Sequence, residues 1–105
     1  MVSSWKGSDV AVTPINPTHT TAAMTASSAA VLAANTSRRY ALLVNDGVAD
    51  VYITLGATAV ANQGIRVGGN GGSYELSPEF GNLYRGAING ITVSGTSTML
   101  VLEGI

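Results

Sequence analysis

The sequence contains no cysteine, and it is poor in charge, histidine and aromatic residues. The absence of cysteine excludes a disulfide framework, a thiolate-ligated zinc cluster and a thiol nucleophile. Charged residues make up 10% of the chain, whereas an ordinary soluble domain has roughly 25%. Five basic residues and a formal net charge of −1 provide too little positive charge to neutralise a run of phosphates. We therefore expect no nucleic-acid partner.

Long apolar runs are also missing. The longest, Ala29–Ala34, is far shorter than the roughly 20 residues that span a bilayer, so we expect no membrane partner. The N-terminus has no basic region followed by an apolar one, and we expect no signal peptide. Disorder is excluded because hydrophobic residues make up 46% of the chain and the net charge is close to zero. A single small soluble domain remains.

The sequence offers no obvious catalytic or metal-binding constellation. His19 is the one histidine, and no nucleophile, base and orienting group can be assembled around it. Asp46 and Asp50 do not have the spacing of calcium ligands in a binding loop. We therefore predict that the protein is not an enzyme, with no catalytic residues, no cofactor and no metal site.

The first 27 residues differ in composition from the rest. They are rich in Thr, Ser and Ala, and they contain Pro14 and Pro17, which favour extended backbone. We predict an extended N-terminal arm over residues 1–27, with a short strand at residues 9–13, ahead of a domain over residues 28–105. The large apolar residues of this segment are its candidate interface anchors: Trp5, Ile15 and Met24. A frayed terminus is the alternative.

Short apolar runs separated by glycine predict strands from residue 28 onward. Residues 38–44 and 50–55 are predicted to form a hairpin around Asn45-Asp46-Gly47. A second hairpin is predicted for residues 64–67 and 73–76, around a flexible glycine-rich tip at residues 68–72. One helical turn is predicted to start at Ser77. Further strands are predicted at residues 28–34 (a helical turn being the alternative there), 83–88, 91–94 and 98–103.

Seven or eight short strands at this spacing are typical of an all-β fold, namely an antiparallel β-sandwich or a jelly-roll-like barrel. Both alternating sets of residues are apolar in two segments, 38–44 and 99–102. Strands of this kind are covered on both faces. They are therefore either central strands or strands that pack against another subunit.

The shortage of charge favours a chain that functions within an assembly, because interface cores are depleted in charged residues and especially in lysine. Lys6 is the only lysine. Aromatic side chains are enriched at interfaces and also line sugar-binding surfaces. The candidate interface residues of the body are Tyr52, Tyr74, Phe80 and Tyr84, although half-buried packing is the more ordinary role for tyrosine in a small sandwich.

A series of different short motifs runs from residue 35 to the C-terminus. They are Asn35-x-x-Arg38-Arg39-x-x-Leu42-x-Val44-Asn45, Val51-Tyr52-Ile53-x-Leu55-Gly56, Gly64-Ile65-x-Val67, Tyr74-Glu75, Leu83-Tyr84-x-Gly86-x-Ile88-x-x-Ile91 and Leu100-Val101-Leu102-Glu103-Gly104. In these motifs the chain resembles small virion structural proteins of tailed bacteriophages, which decorate or cement the head.

The resemblance implies a capsid decoration protein that clamps adjacent major capsid subunits on the surface of the phage head, after synthesis in the host cytoplasm. Its expected partners are the major capsid protein and further copies of itself, as a homotrimer or, as the alternative, a dimer. A second hypothesis is a carbohydrate- or receptor-binding β-sandwich module of a phage tail or spike.

Overall fold

Eight strands and one turn of 3₁₀ helix form the fold of residues 14–105, the part of the chain that this computed structural model describes. The strands are β1 (Pro17–Met24), β2 (Ala29–Leu32), β3 (Tyr40–Asn45), β4 (Val51–Leu55), β5 (Ile65–Val67), β6 (Ser73–Leu76), β7 (Ile88–Ile91) and β8 (Ser97–Gly104). The 3₁₀ turn is Pro78–Phe80. None of the described residues forms a helix long and apolar enough to cross a membrane.

The strands form two antiparallel four-stranded sheets. Sheet A has the order β1-β8-β3-β6, and sheet B has the order β2-β7-β4-β5. The pairs β4–β5, β3–β6, β2–β7 and β1–β8 are nested along the chain, which is the connectivity of a jelly roll. The all-β, antiparallel sandwich expected from the sequence is confirmed.

The inner faces of the two sheets form the core. Buried apolar side chains from both sheets meet there, as period-2 alternation requires of strands packed face to face. The fully buried members of this core are Met24, Ala41, Leu43, Val51, Ile53, Leu76, Ile88 and Met99. Gly90 gives the core room, because a Cβ at this position would lie 2.6 Å from the Met24 sulfur.

Both predicted hairpins are wrong in their pairing. β3 and β4 lie in different sheets, and so do β5 and β6. The connection after β3 crosses between the sheets because Asn45 is buried and holds it there. The Asn45 side-chain amide donates to the carbonyls of Ala49 and Val67 at 2.8 and 2.9 Å. Turn residues mark a sheet crossing and a tight hairpin alike, so the pattern could not separate the two.

The glycine-rich connection between β5 and β6, predicted as a flexible tip, is held by hydrogen bonds. The Asn70 and Gly71 N–H groups donate to the carbonyls of Gly47 and Asn45 at 2.7 and 2.8 Å. The Gly69 N–H donates to the Asp50 carboxylate at 2.9 Å. This connection therefore packs on the β3–β4 turn.

The predicted arm partly belongs to the sandwich. β1 pairs with β8 along its whole length, from Pro17 opposite Gly104 to Met24 opposite Ser97. The sandwich therefore begins at Pro17, within the segment predicted as an arm, and not at residue 28. The strand predicted at residues 9–13 lies outside the described residues.

The later strand predictions succeed in part. Residues 29–32 are a strand, and residues 98–103 lie within β8. The turn predicted to start at Ser77 is confirmed as 3₁₀, with the Ser77 hydroxyl accepting from the Glu79 N–H. The strands predicted at residues 83–88 and 91–94 are replaced by one strand, β7. The carbonyls of Tyr84 and Gly86 accept from the Arg38 guanidinium, so these residues do not form a ladder.

Candidate functional site: the outer face of sheet A

The outer face of sheet A is apolar along its two central strands. Leu42 of β3 lies opposite Leu102 of β8, and Val44 lies opposite Leu100. Leu100 is 39% exposed, and the other three side chains are half-buried. Because this face points away from the core, neither sheet of the sandwich covers these four side chains. They form a contiguous apolar stripe on this face.

Polar residues border the stripe on both sides. On β1, His19 lies opposite Leu102 and Thr21 lies opposite Leu100. On β6, Glu75 lies opposite Leu42 and Ser73 lies opposite Val44. The stripe and the β1 side chains line a shallow groove of about 310 Å³. An apolar centre with a polar border is the usual layout of a protein interaction surface.

Tyr40 and Glu75 form a hydrogen-bonded pair beside the stripe. The Tyr40 hydroxyl donates to the Glu75 carboxylate. This hydrogen bond, together with desolvation and the negative charge of Glu75, raises the pKa of Tyr40 from 10.0 to about 12. At neutral pH the carboxylate is thus paired with a neutral phenol.

The outer face of sheet B is mostly polar by contrast, with Ile91 of β7 as an apolar residue opposite Tyr52. Tyr52 of β4 lies opposite Arg66 of β5, and Thr54 lies opposite Asn89 of β7. Arg66 forms an exposed ion pair with Asp50 at 3.5 Å. This face has the alternation of a sheet that is packed on one side and solvated on the other.

Arg38 is buried, and its guanidinium joins the two sheets at one end of the sandwich. It is fully inaccessible, and its Nε donates to Glu103 of β8 at 2.7 Å. Its other nitrogens donate to the carbonyls of Ala33, Tyr84 and Gly86 at 2.6 to 3.1 Å. A buried guanidinium with this many acceptors is a structural element, and its charge is compensated by Glu103.

The structure does not bring the predicted interface residues together. Tyr52 lies on the outer face of sheet B, whereas Tyr74 and Tyr84 pack against the core. Phe80 is 63% exposed on the 3₁₀ turn. The aromatic side chains of the described region therefore do not form one exposed platform.

The three predicted arm anchors have different positions. Met24 is fully buried in the core, so its side chain cannot contact a neighbouring subunit. Ile15 is half-buried beside Gly104, where a Cβ would lie 2.5 Å from the Ile15 Cδ1. Trp5 lies outside the described residues.

The residues that form the apolar stripe were not among the predicted interface residues. Their signal was present in the sequence, because residues 38–44 and 99–102 are apolar in both alternating sets. The structure shows that β3 and β8 are central strands and also that no strand of residues 14–105 packs on the second apolar face. Aromatic side chains are enriched at interfaces by type, whereas an aliphatic face is equally typical of a core.

Possible ligands of a metal ion do not gather in the described region. Among residues 14–105, no three histidine, aspartate or glutamate side chains come close enough to hold an ion. His19 is exposed on β1, at the border of the apolar stripe.

Comparison with known proteins identifies no relative. No family model, no curated protein and no solved structure matches the chain.

Proposed function

We propose that this protein is a non-enzymatic structural component of a phage virion, a decoration protein that binds the head and clamps adjacent major capsid subunits. The observation that carries the proposal is the open apolar stripe of Leu42, Val44, Leu100 and Leu102 on the outer face of sheet A. A stripe of this kind on the central strands of a sheet is suited to contact another protein surface.

The area of this face sets the strength with which one copy can attach. Four strands at about 4.8 Å spacing and five residues at about 3.4 Å rise give a face of roughly 300 Å². The two central strands that carry the stripe account for about half of this face, so at about 25 cal/mol per Å² of apolar area the burial of the stripe contributes on the order of 4 kcal/mol before the cost of association. One copy therefore binds weakly through this stripe, and copies that are joined to one another bind more tightly because their contacts act together.

The charge distribution supports the same proposal. Near the stripe, Glu75 is paired with the Tyr40 hydroxyl, and Arg38 is buried against Glu103. Covering this face would therefore desolvate the charge of Glu75, and the hydrogen bond from Tyr40 offsets part of that cost, whereas the charge of Arg38 is already compensated. The jelly-roll connectivity agrees with the proposal, because this architecture recurs in viral capsid and lectin domains, although a fold by itself does not determine function.

The proposal is tested by binding to undecorated heads of the phage that encodes the protein. The variant Leu100→Ser/Leu102→Ser makes the outer face of β8 polar and leaves the core unchanged. The matched control, Tyr52→Ser/Thr54→Ser, makes the same i, i+2 change on β4, a central strand of the other sheet. Co-sedimentation with heads measures occupancy, and thermal unfolding checks that both variants fold.

We expect the β8 variant to bind at least roughly 10-fold more weakly than the wild type, because truncated apolar anchors of an interface cost more than about 1 kcal/mol each. We expect the β4 variant to bind as the wild type does. Equal occupancy by all three proteins would remove the stripe from the proposal. Binding to a glycan array without binding to heads would replace it with the receptor-binding alternative.

A further inference from the structure

The free edge of β1 differs from the other sheet edges. β1 has eight residues, whereas the other edge strands β2, β5 and β6 have four, three and four. β1 carries no Lys, Arg, Asp or Glu, and its pairing with β8 has no bulge. The pairing of β2, by contrast, is irregular between Ala30 and Leu32. Proteins protect long edges with charges, prolines, bulges or brevity; β1 has a proline only at its first residue, Pro17, and lacks the other three.

The backbone groups that β1 presents at this edge can be assigned. Asn16 and Ile105 exchange hydrogen bonds in both directions at 2.8 and 3.2 Å, which makes them a hydrogen-bonded pair of the β1–β8 ladder. Such pairs alternate along antiparallel strands, so the even-numbered residues of β1 bond to β8. His19, Thr21 and Ala23 therefore direct their N–H and C=O groups toward the free edge.

The first described residues approach β1 from the side opposite its free edge. The Pro14 carbonyl accepts from the Arg39 guanidinium at 2.7 Å, and Arg39 directly precedes β3. The chain thus reaches β1 from the side of β8 and β3. No described residue pairs with the free edge of β1.

We propose that a second copy of this chain pairs with this edge, β1 against β1 in antiparallel orientation, with the two-fold axis at Thr21. In this register Thr21 lies opposite Thr21 of the second copy, and His19 lies opposite Ala23 of the second copy. Each chain then contributes three N–H groups and three C=O groups, and all of them are bonded. A shift of the register by one residue would place odd-numbered residues, whose backbone groups face the edge, opposite even-numbered residues, whose groups already bond to β8. A shift by two residues would leave backbone groups of one edge-facing residue in each chain without a partner.

The side chains of β1 agree with this register. Thr–Thr pairs are favourable neighbours across antiparallel strands, and the Thr21 pair lies on the outer face. His19 faces an alanine, so the two histidines are separated by about four residues, or roughly 14 Å. Pro17, which has no N–H to donate, falls outside the paired segment. No like charges oppose one another.

Pairing at β1 joins the two A sheets into one sheet of eight strands and places both apolar stripes on the same surface. The use of this combined surface to bind the phage head, unlike the pairing itself, rests on the proposed function. The combined face measures about 600 Å², compared with about 300 Å² for one copy. The larger area approaches the roughly 800 Å² per partner of a standard interface.

The test uses proline at the free edge. Because the Thr21 N–H has no partner within one copy, Thr21→Pro is compatible with an edge strand but removes one N–H from each side of the dimer. We expect light scattering to give twice the 10.6 kDa of one chain for the wild type and 10.6 kDa for T21P. We expect the dimer dissociation constant of T21P to rise roughly 100-fold or more. Thr21→Val, which keeps the N–H, serves as the control and remains dimeric.

Charge complementation tests the position of the axis. Thr21→Lys and Thr21→Glu each place like charges opposite one another, so each variant alone should be monomeric, whereas an equimolar mixture should form a heterodimer. A wild type that is monomeric or trimeric, or a T21P protein that stays dimeric, would overturn the proposal. If the protein does not dimerise through β1 but binds heads, the proposed function stands without the dimer. If it dimerises through β1 but does not bind heads, the dimer stands and the proposed function fails.

Discussion

The two sheets of the sandwich are alike on their inner faces and differ on their outer faces. Inside, both contribute buried aliphatic side chains to one core. Outside, sheet B carries Tyr52, Thr54, Arg66 and Asn89 beside one apolar residue, Ile91, whereas the central strands of sheet A carry only leucine and valine at the four positions of the stripe. A sandwich needs one apolar face per sheet, so the second apolar face of sheet A is surplus to folding.

This difference indicates which face of the described sandwich is suited to contact another protein. The low charge of the sequence is a property of the whole chain. In the structure, the outer face of sheet A is the sheet face on which uncharged apolar side chains lie together. Sheet B has the outer face of a solvated protein. Sheet A has an outer face suited to contact, beside an edge strand suited to pairing. The two faces can be tested against each other within one molecule.

The largest expected loss of stability comes from removing the contact that joins the two sheets. Arg38→Ala removes the guanidinium that joins sheet A to the loops of sheet B, and it leaves Glu103 without its partner at 2.7 Å. We expect a loss of about 3–5 kcal/mol in the free energy of unfolding, measured by urea denaturation. Arg66→Ala, which breaks the exposed pair with Asp50, is the control and should cost less than about 1 kcal/mol. Equal losses would show that the buried pair has no special role.

Adjacent residues on β3 test the two faces of sheet A directly. Leu43 is fully buried on the inner face, and Leu42 is half-buried on the outer face. We expect Leu43→Ala to lower the free energy of unfolding by about 2–5 kcal/mol because it leaves a cavity. We expect Leu42→Thr to lower it by about 1 kcal/mol or less. Comparable losses at both positions would mean that the outer face is needed for folding, contrary to the comparison.

Close packing between the inner faces gives a smaller effect. A Cβ at Gly90 would lie 2.6 Å from the Met24 sulfur and 3.0 Å from Val31 Cγ2. We expect Gly90→Ala to cost about 1–3 kcal/mol by overpacking, again by urea denaturation. Gly90→Ala combined with Met24→Ala should recover part of this loss relative to Met24→Ala alone. An additive double variant would show that the two positions do not compete for space.

The sequence was sufficient to predict the all-β fold, the turn at Ser77 and the two-sided apolar character of β3 and β8. Each of these is a local pattern of alternation or capping. The pairing of strands was not predictable, because β1 pairs with β8 across almost the entire chain, and Asn45 and the glycines at 68–72 mark turns without indicating which sheet follows. Thr-rich β1 has few large apolar residues, so it was assigned to an arm.

The candidate site was predictable only in part, for reasons of burial. Arginine is rarely fully buried, and nothing near Arg38 in the sequence identifies Glu103 as its partner. The aromatic residues were plausible interface candidates by type, but Tyr74 and Tyr84 pack against the core. The aliphatic stripe left two alternatives, a covered central strand or a subunit contact, and only the arrangement of the sheets shows that neither sheet of the described sandwich covers its outer side.

The smallest expected effect concerns the polar border of the stripe on sheet A. The pKa of Tyr40 is about 12 in the folded chain, compared with 10.0 for an ordinary tyrosine in an unfolded chain. Between pH 10 and pH 12 the folded protein therefore keeps a proton that the unfolded chain releases. The stabilisation from this pair is therefore complete below pH 10 and is lost as the pH rises through 12. Tyr40→Phe should lose less stability than the wild type over this interval, as measured by urea denaturation at a series of pH values. Glu75→Gln should shift phenolate formation at Tyr40, followed by absorbance, toward the ordinary pKa. If the wild type and Tyr40→Phe lose stability in parallel, the hydrogen bond does not stabilise this border of the outer face.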